Sequence, residues 1–167
     1  GESGVGSALL AKSMGARAFV SDAGEGRGPS VKELEAAGIA YEVGGHQTDR
    51  WDDTATVVKS PGIPDTASVV QTCIAQGREV ISEIEYAARA HRALGHTDPV
   101  VAVTGANGKT TTTAMIDHLL RNEGWDTDCV GNIGTSWARR LAERVSNKEG
   151  QAQATVLEVS SFQLDGT

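Results

Sequence analysis

The segment from Thr104 to Thr111 has the residue types and spacing of a loop that binds phosphate. It reads Thr-Gly-Ala-Asn-Gly-Lys-Thr-Thr and lies between an apolar segment at 100–103 and a predicted helix that begins at Lys109. Glycines let backbone N–H groups turn toward an anion, and a helix start presents unpaired N–H groups and the positive end of its dipole. Lys109 is placed to reach the β- and γ-phosphates of a nucleotide, and the Thr110 hydroxyl to bind Mg²⁺. The segment therefore predicts a nucleotide site.

This loop departs from the general phosphate-loop pattern at one position. The pattern has a glycine five residues before Gly108, and Val103 stands there instead. The alternative interpretation is a tight turn between a strand and a helix, with Lys109 in solvent. We favour nucleotide binding because the loop has the strand-to-helix context that such a site requires.

An acidic residue ends a later apolar strand. Glu158 comes near the end of the predicted strand at 154–159. A carboxylate at the end of a strand downstream of a phosphate loop is well placed to hold or orient Mg²⁺. Acids at strand ends are common, so the prediction depends on the pairing with the loop: Thr110 and Glu158 are the predicted metal ligands.

Turns rich in glycine and proline mark the first half of the chain. The opening at 1–6, Gly-Glu-Ser-Gly-Val-Gly, resembles the remnant of a dinucleotide-type glycine turn, and Asp22 ends the next strand, where such folds contact a ribose. A helix start that needs close packing explains the opening equally well. The turn at 60–64, Ser-Pro-Gly-Ile-Pro, is either a second wall of that site or a rigid turn.

Small polar side chains follow predicted strands in the second half. Asn132 lies in the turn at 131–134, and Ser160 and Gln163 lie in the segment at 160–164. The residues alone leave open whether these are helix caps or ligand contacts.

Strands alternate with helices along the whole chain, which predicts an α/β fold with a parallel sheet and helices on both faces. Ser30 with Glu33, and Ser82 with Glu85, have the spacing of capping boxes at helix starts. Residues 95–99 are typical of a linker, after which the pattern restarts. The predicted strands are 18–20, 39–43, 56–58, 80–81, 100–103 and 154–159, and the helices are 4–14, 30–38, 69–76, 82–94, 109–122 and 136–145.

Composition excludes several classes of protein. The 167 residues are 39% apolar and 22% charged with a net charge of −7, as in soluble globular proteins that lack a basic surface for nucleic acid or anionic membranes. No apolar run is long enough to span a bilayer. Cys73 and Cys129 are too few for a disulfide framework, which favours a reducing compartment, and we expect both to be inert. The four histidines lack zinc-motif spacing and are expected to be structural or solvated.

Taken together, these motifs resemble the Mur ligases of peptidoglycan synthesis, and most of all the members that add D-glutamate. The shortened phosphate loop is the form that this family uses. The matching segments follow the family's order along the whole chain: 2–4, 60–64, 82–85, 104–111, 131–134 and 157–164.

The resemblance implies a Rossmann-like uridine-nucleotide domain at 1–95 that lacks its first strand, a linker at 96–98, and the first part of a P-loop ATPase domain at 99–167. It implies that the family's C-terminal domain lies outside this chain, so we expect the chain alone not to be a competent ligase. The implied site residues are, for uridine diphosphate, Glu2, Ser3, Asp22, Ser60, Pro61 and Gly62; for ATP, Gly105, Ala106, Asn107, Gly108, Lys109, Thr110 and Thr111; and for catalysis, Lys109, Asn132, Glu158 and Ser160.

The activity implied is ATP- and Mg²⁺-dependent formation of an amide between UDP-N-acetylmuramoyl-L-alanine and D-glutamate through an acyl phosphate. The implied protein is a cytoplasmic monomer with small-molecule substrates and no nucleic acid or membrane partner. The competing interpretations are a P-loop kinase or ATPase behind an unrelated module, a nucleotide-sensing module, and a sister ligase of the folylpolyglutamate type.

Overall fold

All the strand pairs in the described residues are parallel, as the alternating pattern predicts. The computed structural model describes residues 1–26, 28–51 and 56–164. The strands are β1 Phe19–Asp22, β2 Ala40–Val43, β3 Thr56–Lys59, β4 Glu79–Ser82, β5 Val100–Val103, β6 Thr127–Gly131 and β7 Ala154–Glu158. The helices are α1 Glu2–Ser13, α2 Pro29–Ala36, α3 Ser68–Ala75, α4 Glu83–Ala93, α5 Lys109–Asn122, α6 Trp137–Asn147 and α7 Ser161–Leu164. The α/β fold class is thereby confirmed.

The strands form three small sheets. In the first half of the chain β1 pairs with β2, and β3 pairs with β4; in the second half the order is β5–β7–β6. The register of the last sheet places Glu158 between Val103 on one side and Gly131 on the other. Since the carboxyl ends of parallel strands share one edge, this register brings the phosphate loop and Glu158 to the same edge.

Helices α1, α4 and α6 build a hydrophobic core to which both halves of the chain contribute. A Cβ placed on Gly6 of α1 would lie 2.6 Å from Ser136 Oγ and 2.9 Å from Arg139 Cβ, so α1 approaches α6 at a distance that only glycine allows. The buried cluster contains Leu10, Ile84, Ala87, Ala90, Val130, Trp137, Ala138, Leu141, Ala142, Leu157 and Val159.

Polar contacts join the same helices. Arg139 on α6 donates to Glu2 at the start of α1 over 2.8 Å, and it forms a two-pronged ion pair with Glu33 on α2. The hydrogen bonds from Arg139 lower the pKa of Glu33. The backbone N–H of Ala138 donates to the buried Glu83 carboxylate over 2.8 Å. The α1–α6 contact is therefore held by charge as well as by apolar packing.

One of the two predicted capping boxes is wrong. Ser30 lies inside the first turn of α2, whose N-cap is Gly28 with no side-chain hydrogen bond, and Glu33 pairs with Arg139 instead of reaching back. Ser82 does cap α4, because its hydroxyl accepts from the Glu85 N–H over 3.1 Å.

Several apolar segments are more exposed than their composition predicts. Phe19 in the strand at 18–20 is 45% exposed. Val100 and Val101 of β5, an outer strand of its sheet, are also exposed, as is Leu119 of α5. The pattern also missed β6, where the buried Thr127 and Asp128 interrupt any apolar run.

No helix among the described residues is long and apolar enough to cross a membrane.

Candidate functional site

The phosphate loop joins β5 to α5, as predicted. Gly105 has a φ of 143° and Gly108 a φ of 75°, conformations that favour glycine. Gly108 is the N-cap of the 14-residue helix α5, and no side chain caps that helix start. The first-turn N–H groups of α5 are thus available to an anion, in line with the positive end of the helix dipole.

Lys109 folds back over this loop. Its ammonium group donates to the Gly105 carbonyl oxygen over 2.8 Å, and its own carbonyl accepts from Thr113 Oγ1. Thr110 and Thr111 are exposed at the same helix start, as are Ala106 and Asn107 in the loop. Lys109 and Thr110 therefore lie in the first turn of α5, beside the backbone amides that are available to an anion.

Glu158 is buried next to the loop. It is 1% exposed; its Oε1 accepts from Asn132 Nδ2 over 2.9 Å, while Oε2 has no hydrogen-bond partner among the described residues. The Asn132 N–H also donates to the Glu158 carbonyl over 2.9 Å. A buried carboxylate oxygen without a donor is costly unless a cation or another donor completes it. Carboxylate and hydroxyl oxygens are the ligands that Mg²⁺ takes, so Glu158 and Thr110 fit that ion.

Gly131 allows β6 to approach Glu158 so closely. A Cβ at Gly131 would lie 2.3 Å from the Glu158 carbonyl oxygen, and the φ of Gly131 is 106°. The glycine therefore places Asn132 within reach of the carboxylate. This close approach is the physical reason for a glycine directly before Asn132.

Ser160 and Gln163 contact each other at the start of α7. The Ser160 N–H donates to Gln163 Oε1 over 2.8 Å, and the Gln163 N–H donates to the Ser160 carbonyl over 3.0 Å. These two bonds are those of a helix cap. Whether Ser160 also contacts a substrate stays a prediction.

The predicted uridine-site residues gather only in part. Ser60 Oγ would lie 3.8 Å from a Cβ on Gly4, so the turn after β3 adjoins the start of α1, next to Ser3. Pro61 and Gly62 follow in that turn, which is closed by a bond from the Ile63 N–H to the Ser60 carbonyl. Glu2, by contrast, bonds to Arg139 and Ser136 of the second half.

Asp22 lines a separate cleft of about 380 Å³ at the carboxyl ends of β1 and β2. Its Oδ1 accepts from the Gly24 N–H over 2.8 Å. The other polar residues of this cleft were not predicted from the sequence. The acid within the glycine-rich loop at 24–26 was the one signal in the sequence that pointed to them. They are Glu25, Ser30, Tyr41 and Glu42.

Glu42 is the most constrained of these groups. Burial favours its neutral form, yet hydrogen bonds from the Ser21 hydroxyl, the Gln47 N–H and the Trp51 indole outweigh burial and lower its pKa. The carboxylate therefore stays charged at neutral pH and adds negative charge at the rim of the cleft.

Residues 103–166, which contain the phosphate loop, Asn132 and Glu158, match the Mur ligase middle domain. The resemblance to the Mur ligases is confirmed. Proteins named UDP-N-acetylmuramoylalanine--D-glutamate ligase align with 99% of the chain: the one from Cytophaga hutchinsonii is 44% identical, one from Porphyromonas gingivalis 43% and the one from Shouchella clausii 42%. The chain spans about a third of the length of these curated relatives.

Solved structures support the fold. A murein peptide ligase from Psychrobacter arcticus aligns with 97% of the chain and 37% of its own length, at a TM-score of 0.59 and 22% identity. A pseudomurein peptide ligase type C from Methanothermus fervidus aligns with 97% of the chain and 31% of its own length, at 0.50 and 24%. These likenesses show that the α/β arrangement is one that Mur-type peptide ligases have.

Proposed function

We propose that this chain carries the ATP-binding and uridine-nucleotide-binding parts of a ligase that joins D-glutamate to UDP-N-acetylmuramoyl-L-alanine in peptidoglycan synthesis. One observation carries the proposal: the buried Glu158 carboxylate has an oxygen that no described residue contacts by a hydrogen bond, at the sheet edge where the phosphate loop leads into α5. The names of the aligned relatives support the choice of substrate.

The loop supplies the ATP contacts in this proposal. Backbone amides at 105–108 and the first turn of α5 bind the phosphates, with Thr111 beside them. Lys109 exchanges its bond to the Gly105 carbonyl for the γ-phosphate and offsets the charge of the group being transferred. Phosphoryl transfer of this kind depends mainly on position and charge neutralisation.

Thr110 and Glu158 are the residues that would hold Mg²⁺. When bound, the ion neutralises phosphate charge. Asn132 fixes Glu158 Oε1 through its amide, which leaves Oε2 for the ion. In this proposal Oε1 is bonded to Asn132 and Oε2 is kept for the ion, which explains why Oε2 has no hydrogen-bond partner among the described residues.

The reaction would run in two steps. The terminal carboxylate of the muramoyl substrate attacks the γ-phosphate of ATP, giving an acyl phosphate and ADP; the amine of D-glutamate then attacks the acyl carbon and releases phosphate. Asn132 and Ser160 lie after strands β6 and β7 at the same sheet edge, where we propose that they steady the substrate.

The first half would bind the uridine diphosphate group. Ser3 at the start of α1 and Ser60, Pro61 and Gly62 in the turn after β3 would face the diphosphate, while Asp22, in its acidic cleft at the carboxyl end of β1, would accept from a ribose hydroxyl. Glu2 acts by holding Arg139 in this arrangement. We further propose the boundary at 96–98, a monomer in the cytoplasm, and small molecules as the only substrates.

Calorimetric titration of the 167-residue chain with UDP and with Mg-ATP tests this proposal. We expect Lys109→Ala to weaken Mg-ATP binding by about 100-fold, or ~2.7 kcal/mol, and to leave UDP binding unchanged. Lys32→Ala, at an exposed lysine of α2, is the matched control and should alter neither. Mg-ATP binding without UDP binding would favour the kinase interpretation.

A coupled assay for ADP release addresses turnover. With the muramoyl substrate and D-glutamate, we expect the chain alone to give a background rate, because it spans about a third of its relatives. A clear rate would contradict that expectation, while leaving the binding proposal intact.

A further inference from the structure

The end of helix α4 brings two imidazoles and a carboxylate together, and none of these groups belongs to the phosphate loop. One ligand atom from each of His91, His96 and Asp98 lies within 4.8 Å of the others. His91 and Asp98 are buried, and His96 is half-buried. The histidines lack the sequence spacing of a zinc motif, so only the fold reveals this group.

The helix cap explains how the two histidines meet. The His96 N–H bonds to the His91 carbonyl over 3.1 Å and the Gly95 N–H to the Arg92 carbonyl over 3.0 Å, with Gly95 at a φ of 77°. These are the two bonds of a Schellman motif, in which the residues at the positions of His91 and His96 contact each other. An apolar pair is usual there; here two imidazole rings lie 5.1 Å apart.

Asp98 completes the group from the linker side. Its Oδ1 lies 2.8 Å from His91 Nε2, and its Oδ2 accepts from Thr155 Oγ1 on β7 over 3.0 Å. The Thr155 bond orients the carboxylate so that Oδ1 points at the histidines. Such outer contacts are what fix metal ligands in position.

We propose that His91, His96 and Asp98 form a binding site for a divalent transition metal, with Zn²⁺ as the ion that suits them best. Two imidazole nitrogens and one carboxylate oxygen, with water in the fourth position, are a regular tetrahedral set for zinc. Imidazole ligands favour zinc, cobalt and nickel over magnesium, so this site is chemically distinct from the oxygen ligands at Thr110 and Glu158.

The metal would link the two halves of the chain. His91 lies in the last turn of α4, His96 and Asp98 lie in the segment after it, and Asp98 is bonded to Thr155 of the second half. An ion held by all three ligands stabilises the folded state by mass action, because the unfolded chain lacks the assembled site. The competing interpretation is a hydrogen-bonded His91–Asp98 pair that binds no ion.

Titration of the tag-free chain with Co²⁺, in the presence of excess Mg²⁺, tests the site. Tetrahedral Co²⁺ absorbs in the visible range, and Zn²⁺ should displace it with a stoichiometry of one. We expect His96→Gln to weaken binding at least 10-fold. His118→Gln, at the exposed histidine of α5, is the matched control and should change the affinity less than twofold.

Thermal unfolding with and without Zn²⁺ gives the second measurement. Zinc should raise the Tm of the parent chain and of His118→Gln, but not that of His96→Gln or Asp98→Asn. The metal-free Tm of each variant checks that it folds. Absence of the cobalt spectrum, or equal binding by His96→Gln and the parent, would overturn the proposal in favour of the hydrogen-bonded pair.

Discussion

Glu83 and Glu158 are both 1% exposed, and both lie at the carboxyl end of a parallel strand, yet the chain treats them differently. Glu83 directly follows β4, and its carboxylate accepts from the Ala138 N–H at the start of α6. Glu158 ends β7, and one of its oxygens has no partner within the described residues. The comparison teaches that burial of an acid does not by itself identify a site; Glu158 is distinguished by its unpartnered oxygen together with its place beside the phosphate loop.

The pKa of Glu83 follows from its surroundings. Burial raises that pKa to about 7, the hydrogen bond from Ala138 opposes the shift, and the charge of Glu2 adds to it. At neutral pH the group is close to half protonated. The contact between α4 and α6 therefore involves a carboxyl group that prefers to be neutral.

The largest expected effect is on the pH dependence of stability. Between about pH 4.5 and 7 the folded protein keeps a proton on Glu83 that the unfolded chain has lost, so this contribution to the free energy of unfolding is greatest at the acid end of the window. It falls by about 3 kcal/mol as the pH rises to 7 and is constant above that.

Urea unfolding of Glu83→Gln from pH 4.5 to 8 measures this contribution. The variant should lack it, so its stability relative to the parent should rise by about 3 kcal/mol across the window. Glu123→Gln, at an exposed acid, should show no such trend. A constant difference between Glu83→Gln and the parent would contradict the explanation.

The next effect concerns Glu158. We expect Glu158→Gln to weaken Mg-ATP binding by about 10- to 100-fold, or ~1.4 to 2.7 kcal/mol, because the amide keeps the Asn132 contact but cannot serve as a charged ligand. Calorimetry with ATP alone and with Mg-ATP separates the ion from the nucleotide. The free energy of unfolding should not fall, because the amide keeps the Asn132 contact and removes a buried charge that has no ion-pair partner among the described residues. Equal loss of both affinities would argue against a metal role.

A third effect tests the close approach between α1 and α6. Gly6→Ala should destabilise the protein by about 1–3 kcal/mol, because its Cβ would clash with Ser136 and Arg139. Gly4→Ala, on the same helix, meets nothing nearer than 3.8 Å and should stabilise α1 by about 0.5–1 kcal/mol. Chemical unfolding measures both, and similar values for the two variants would show that α1 and α6 do not pack this closely.

The smallest effect distinguishes the two capping sequences. Ser82→Ala should cost about 1 kcal/mol because it removes the hydroxyl that accepts from Glu85 at the start of α4. Ser30→Ala should cost much less, because Ser30 lies inside the first turn of α2 and does not cap it. Thermal or urea unfolding of both variants is the measurement; equal costs would restore the predicted box at Ser30.

Local signals predicted the parts of the molecule that depend on neighbouring residues. The phosphate loop was predictable because glycine conformation and a helix start are encoded within eight residues, and α5 has the predicted bounds. The position of Glu158 at a strand end was predictable for the same reason. That Asn132 bonds to one oxygen of Glu158 and leaves the other free depends on the pairing of β6 with β7, which no local pattern encodes.

The features that the sequence did not predict depend on contacts between distant segments. β6 was not predicted because Asp128 is buried there, and ion pairs with Arg140 and Arg144 of α6 make that burial possible. Glu33 has the spacing of a capping residue, but it forms an ion pair with Arg139, which lies 106 residues further along the chain. The histidines of α4 and the linker looked isolated because the helix cap that joins them is a feature of the folded backbone.

The contact between Gly6 and Ser136 has a consequence for the order in which the chain acquires its structure. Helix α1 leaves the ribosome before α6, and the surface of α6 on which it packs is made about 130 residues later. Closing so long a loop carries an entropic cost and slows folding. During synthesis α1 therefore stays without its partner until α6 has been made, and a chaperone can bind its apolar residues during that time.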